Sequence, residues 1–113
     1  MIREKAFCFS VRIVRLSRYL EREHREYVLS KQVKNSGTSI CANVSEAKYA
    51  QSRADFLSKN TIALKEANET GYWLRLLYET GYLTDRMFDS IYPECVELIK
   101  ILTSIINSTK RKP

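Results

Sequence analysis

Five basic side chains, Lys5, Arg12, Arg15, Arg18 and Arg22, recur along the first segment at steps that keep them on one arc of a helix. Arginine carries a planar fork of donors that matches phosphate oxygens, so a row of four suits contacts to a phosphate backbone. The same row also reads as an ordinary solvated face. Symmetric association would favour the first reading, because repetition around a ring multiplies a modest local potential. A second basic group, Lys110, Arg111 and Lys112, stands in a short C-terminal tail that begins near residue 108.

Other chemistries find few residues to work with. His24 is the only histidine and sits in a charged stretch, so a Ser-His-Asp or Cys-His pair would have to use it. Nothing nearby marks an activated nucleophile. Di-iron bundles need Glu-x-x-His on two helices plus further glutamates, which one histidine cannot supply. Glu66 and Glu69 have i,i+3 spacing, and salt bridges to neighbouring Lys or Arg account for them. Ser36-Gly37-Thr38-Ser39 has one glycine and no following Lys-Ser or Lys-Thr, which makes a poor phosphate cradle. The three cysteines, Cys8, Cys41 and Cys95, are odd in number, far apart and outside any CxxC. They read as buried free thiols in a reducing cytoplasm. The sequence therefore predicts no catalytic residue, no metal site and no cofactor.

A chain of 113 residues with 44% apolar residues is one domain, spanning 1–113, with a single core. Only 3 Gly and 2 Pro argue against a turn-rich β fold. No h-region with a cleavage site follows Met1, and no apolar run reaches the length of a membrane span. Cytoplasmic residence without membrane contact is the default. The net charge of +6 is unevenly spread. Residues 1–34 carry +5, residues 66–99 carry −5 and residues 100–113 carry +4. The basic and acidic segments are either opposite faces or neighbouring helices that attract one another.

Helical periodicity runs through nearly the whole chain. Phe9, Ile13, Leu16 and Leu20 form the first stripe, extended by Ile2 and Ala6 and ending near Glu23 to Glu26. Leu29, Val33, Ile40, Val44 and Ala47 form the second. Its phase is unbroken across Ser36 to Ser39, so those small residues read as a close-packing site within a helix. Phe56, Asn60, Ala63, Ala67, Thr70, Leu74 and Leu77 form the third, with Ser52 and Asp55 at its start and Gly81 at its end. Phe88, Ile91, Cys95, Leu98, Leu102 and Ile105 form the fourth, after an N-cap at Thr84. Pro93 must kink this last helix or divide it. Four such helices with short connections predict an all-α, antiparallel up-down-up-down four-helix bundle.

The third helix has a second apolar group, Ile62, Trp73 and Leu76, and a wet face of Thr61, Lys65, Asn68, Tyr72 and Glu79. Two apolar sides predict a subunit interface centred on Trp73. The alternative is that the neighbouring helices wrap further round.

Ser36-Gly37-Thr38-Ser39-Ile40, Ala42-Asn43-Val44, Glu46-Ala47, Gln51 to Phe56, Ala63 to Thr70 and Tyr72-Trp73-Leu74 together resemble a bacterial four-helix-bundle family. It includes proteins encoded in intervening sequences of large-subunit ribosomal RNA genes. It also includes the accessory variability determinant of diversity-generating retroelements. The resemblance covers nearly the whole chain and is densest over residues 36–77. It implies a homopentameric barrel, without enzymatic activity, that partners a reverse transcriptase and contacts nucleic acid through a basic surface. The combined expectation is an oligomeric protein that binds RNA or DNA through Lys5, Arg12, Arg15, Arg18, Arg22 and Lys110–Lys112. The alternative is a protein–protein adaptor without nucleic-acid contact, docking a larger enzyme on the Trp73 face or on the acidic surface of residues 66–99.

Overall fold

The computed structural model describes residues 1–111. It contains four helices: α1 (Ile2–His24), α2 (Val28–Lys48), α3 (Arg53–Glu79) and α4 (Asp85–Arg111). Each packs on the next, α4 returns against α1, and the backbones of diagonal pairs do not approach one another among the described residues. Cross-helix partners give the directions: Ser17 meets Ser30, Ser36 meets Thr70, Ala67 meets Cys95, and Lys5 meets Glu97. The result is the expected antiparallel four-helix bundle, 50 × 21 × 20 Å. No helix among the described residues is long and apolar enough to cross a membrane.

One stripe from each helix builds the core. Phe9, Ile13 and Leu20 of α1 meet Val33 and Ile40 of α2, Leu74 and Leu77 of α3, and Leu98 and Leu102 of α4. Near the C-terminal end the stripe passes through buried Ile106, whereas the expected Ile105 is half-buried. Steps of four from Leu98 through Leu102 to Ile106 keep that last turn facing inward. The wet face of α3 is exposed as expected at Thr61, Lys65, Asn68, Tyr72 and Glu79.

The α1–α2 seam explains the small residues of α2. Helix α2 is continuous through Ser36 to Ser39. A Cβ on Gly37 would lie 2.7 Å from Ile13 Cγ2, so only glycine lets the two backbones come this close. Further along, the hydroxyls of Ser17 and Ser30 are 2.8 Å apart in the interior. Ser30 Oγ also donates to Glu21 at 2.8 Å. The buried hydroxyls of this seam are thereby satisfied.

Helix boundaries follow local chemistry. α1 stops at Arg25, which takes a left-handed conformation (φ 49°), and Glu26 N–H donates to Leu20 O at 3.1 Å. Ser52 caps α3 by accepting from Asp55 N–H at 3.0 Å. Asp55 reaches back to Gln51 N–H, one residue before the cap. Gly81 ends the helix at φ 87°, the position that favours glycine. Thr84 Oγ1 accepts from Met87 N–H at 3.1 Å at the start of α4. Pro93 is exposed and lies inside α4, which runs through it unbroken, so the alternative of two helices is removed. The expectation of three buried thiols is corrected: Cys95 is buried, Cys41 is half-buried and Cys8 is exposed. Cys8 falls on the outer arc of α1, one turn from the charged residues Glu4, Lys5 and Arg12, beyond the reach of the core.

Candidate nucleic-acid interface

The basic stripe of α1 divides into two sets. Lys5 and Arg12 lie on the flank that faces α4. Lys5 Nζ donates to the Glu97 carboxylate at 3.2 Å. Arg12 donates from Nη1 to Glu94 Oε2 at 2.6 Å and to the Ser90 carbonyl at 3.0 Å, and from Nη2 to Ser90 Oγ at 2.8 Å. Both residues act as struts between the first and last helices. The acidic segment and the basic segment are thus neighbours that attract one another along this seam.

Arg15, Arg18 and Arg22 form the second set. They are exposed, and none makes an ion pair or side-chain hydrogen bond among the described residues. Their spacing spreads the three guanidinium groups over about 10 Å of helix axis. Arg86, in the first turns of α4, joins them from across the seam. Between the two helices lies an open cleft of about 440 Å³. Leu16, Leu83 and Ile91 form its apolar floor, Tyr19 and Met87 its walls, and Arg12, Arg15 and Arg86 its rim. His24 closes α1 beside it, with Nε2 3.2 Å from the Tyr19 hydroxyl and its ring edge-on to Tyr19 and Tyr82. This end of the bundle is cationic and aromatic, a combination that recognises phosphates and bases together.

The C-terminal basic group sits elsewhere. Lys110 and Arg111 belong to the last turn of α4, and Lys112 lies outside the described residues. α4 begins at the cleft and runs away for 27 residues, about 40 Å. Lys110 and Arg111 therefore stand at the opposite end of the bundle from Arg22.

The second apolar group of α3 is placed on its outer side, toward α2. Ile62 is 40% exposed, and Trp73 and Leu76 are half-buried. Tyr72, 57% exposed, meets Trp73 edge-on at 4.9 Å. Trp73 Nε1 is buried and has no hydrogen-bond partner. Glu66 lies on the same flank, and neither it nor Glu69 makes an ion pair among the described residues, contrary to the salt bridges expected. Burial, and secondarily the Glu69 charge, raise the Glu66 carboxyl above its ordinary range, against the lowering effect of Lys65. Among the described residues no group of three or more metal-capable side chains forms.

Sequence reasoning missed two features of this surface. Phe7, 63% exposed, lines a shallow groove with Val11 and Val14 on the outer side of α1, beside Arg15 and Arg18. Their i, i+4, i+7 spacing was legible but lay hidden among the charges of the same arc. Ser10 Oγ, in this groove, is buried without a partner. Arg86 was missed because only the antiparallel return of α4 brings it to Arg15.

Comparison with known proteins adds the following. The family model of the 23S rRNA-intervening sequence protein matches residues 1–104. A crystal structure from Bacteroides thetaiotaomicron VPI-5482, of a protein of unknown function from the S23 ribosomal protein family, superposes with a TM-score of 0.92. It shares 53% sequence identity, and the match covers 94% of this chain and 98% of that one. No functionally curated protein matches.

Proposed function

The chain belongs to the 23S rRNA-intervening sequence protein family, and we propose that it serves there as a non-enzymatic, self-associating protein that grips nucleic acid through the C-terminal half of α1. The observation that carries this reading is the row Arg15, Arg18 and Arg22: exposed, evenly spaced, and without acidic partners among the described residues. Arginines that stabilise a fold find carboxylates, as Arg12 does. Arginines left in water in a row form a field that attracts polyanions. Lys5 and Arg12 contribute to that field while bracing the seam, and Lys110 and Arg111 offer a separate contact at the far end. Free thiols suit a reducing cytoplasm as its place of action.

Self-association is supported by two different apolar patches. Phe7, Val11 and Val14 lie beside arginines on α1, and Ile62, Trp73 and Leu76 lie beside glutamates on α3. Each patch also holds a buried, unpartnered polar atom, Ser10 Oγ on one and Trp73 Nε1 on the other. Contact between unlike patches is head-to-tail, the kind that forms a ring when the rotation from copy to copy closes. Five copies is the number that the family resemblance implies, and a reverse transcriptase is the protein partner it implies.

Fluorescence anisotropy with structured RNA and duplex DNA across a salt series tests the reading. Binding at low salt that weakens steeply as salt rises supports it. No binding at low salt, or binding indifferent to salt, contradicts it. The unpaired Glu66 and Glu69 beside exposed Ile62 favour one other reading, an adaptor that docks a basic partner on α3. Pull-down of a larger enzyme that survives Arg15, Arg18 and Arg22 replacement but not Trp73→Ala would favour that adaptor.

A further inference from the structure

We infer that the cleft between α1 and α4 takes one base of a single-stranded nucleic acid, with the neighbouring phosphates held by Arg15 and Arg86. The inference rests on the nucleic-acid reading above and names the form of nucleic acid that it recognises.

Size comes first. The cleft, about 440 Å³ and open to solvent, is large enough for a nucleotide. Chemistry follows. Its interior is apolar, with Tyr19 and Met87 as walls, so it offers surface to the face of a flat ring. Its rim carries three arginines and its lining no carboxylate, and of the three Arg12 is taken by Glu94 at 2.6 Å. Arg15 and Arg86 thus keep their donor forks for a ligand. Continuity decides between a lone anion and a polyanion. Arg18 and Arg22 extend the line of cations from Arg15 along the same helix, which a strand with several phosphates can follow and a single small anion cannot. A duplex holds its bases stacked and paired, so only a single strand can offer one to the cleft without an unpairing cost. Lys110 and Arg111 lie at the other end of α4, away from the cleft.

The test compares a single-stranded RNA of about a dozen nucleotides, its duplex, and an abasic strand of equal length, by anisotropy at fixed low salt. The single strand is expected to bind roughly tenfold or more tightly than the abasic strand, the scale of one stacked base. Met87→Trp, which fills the cleft, and Tyr19→Leu, which removes its aromatic wall, should bring that ratio close to one. Arg86→Gln, at an exposed position, should weaken the single strand and the abasic strand alike and leave their ratio in place. Circular dichroism checks that the variants are folded. A ratio near one in the unmodified protein, a ratio unchanged in folded Met87→Trp and Tyr19→Leu, or strand binding unweakened in Arg86→Gln overturns the cleft assignment, while binding of the duplex and abasic strand leaves the broader reading standing. Failure of all three nucleic acids to bind overturns both. If Met87→Trp changes the oligomeric mass by light scattering without nucleic acid, a second copy fills the cleft and the inference falls.

Discussion

Helix α1 has two seams, and they are built in opposite ways. Toward α2 it closes on glycine, with Gly37 under Ile13 and two serine hydroxyls in contact further along. Toward α4 it is held by Lys5–Glu97 and Arg12–Glu94 across open clefts. The first seam is dry and leaves no freedom in spacing. The second is wet, sparse and bridged by side chains long enough to tolerate small movements. Close packing specifies the fold, while the loosely bridged side keeps apolar surface and unpaired arginines within reach of solvent. One helix is thus a structural element on one flank and, in the function proposed, a recognition element on the other.

Substitutions at the dry seam should have the largest effect. Ile13→Ala is expected to cost about 2–5 kcal/mol of unfolding free energy, as a fully buried large residue does. Gly37→Ala should cost about 1–3 kcal/mol by overpacking against Ile13. In the Ile13→Ala background the added methyl has room, so the double variant should be more stable than the sum of the two losses predicts. Denaturant midpoints of the four proteins measure this. Additivity would mean that the two side chains do not meet as described.

A second prediction concerns the core beyond that seam. Burial pushes the Cys95 thiol up to about 12, and its Sγ donates to Ala67 O at 3.3 Å. The folded value exceeds the unfolded value near 9, so the protonated thiol's contribution is complete below pH 9. It is lost progressively as the pH rises from 9 toward 12. Wild type should therefore lose more stability over that range than Cys95→Ala. A thiol reagent at neutral pH should label exposed Cys8 first and Cys95 only on unfolding.

The wet seam should respond least. Arg12→Ala removes an ion pair whose partners are each more than a third exposed, together with hydrogen bonds to Ser90. About 0.5–1 kcal/mol is expected, and less at high salt. A loss as large as that of Ile13→Ala would erase the contrast between the seams.

How much of this was legible in the sequence depends on what each feature requires. The four stripes, the Ser52 and Thr84 caps, the Gly81 stop and the unbroken α2 follow from local periodicity and short-range hydrogen bonding, and the structure has them. The stripe residues Ile2, Leu29, Phe56, Phe88 and Ile105 and the thiol of Cys41 are only half-buried, and Cys8 is exposed, because periodicity does not say how far the core extends at a helix end or how wide its arc is. The division of the arginines was not legible. Arg12 and Arg15 are alike in sequence, and only the return of α4 gives one a carboxylate and leaves the other in water. For the same reason Arg86, distant along the chain, could not be grouped with Arg15.

The central claim is that the outward arginines bind nucleic acid and the seam-facing ones chiefly brace the fold. Anisotropy across a salt series, with wild type, Arg15→Gln/Arg18→Gln/Arg22→Gln and Lys5→Gln/Arg12→Gln, tests it most directly. The triple variant should keep wild-type stability, bind more weakly with the largest loss at low salt, and flatten the slope of log K against log salt by about 2–3. The double variant should keep most of that slope. Equal slopes for wild type and the triple variant would contradict the claim.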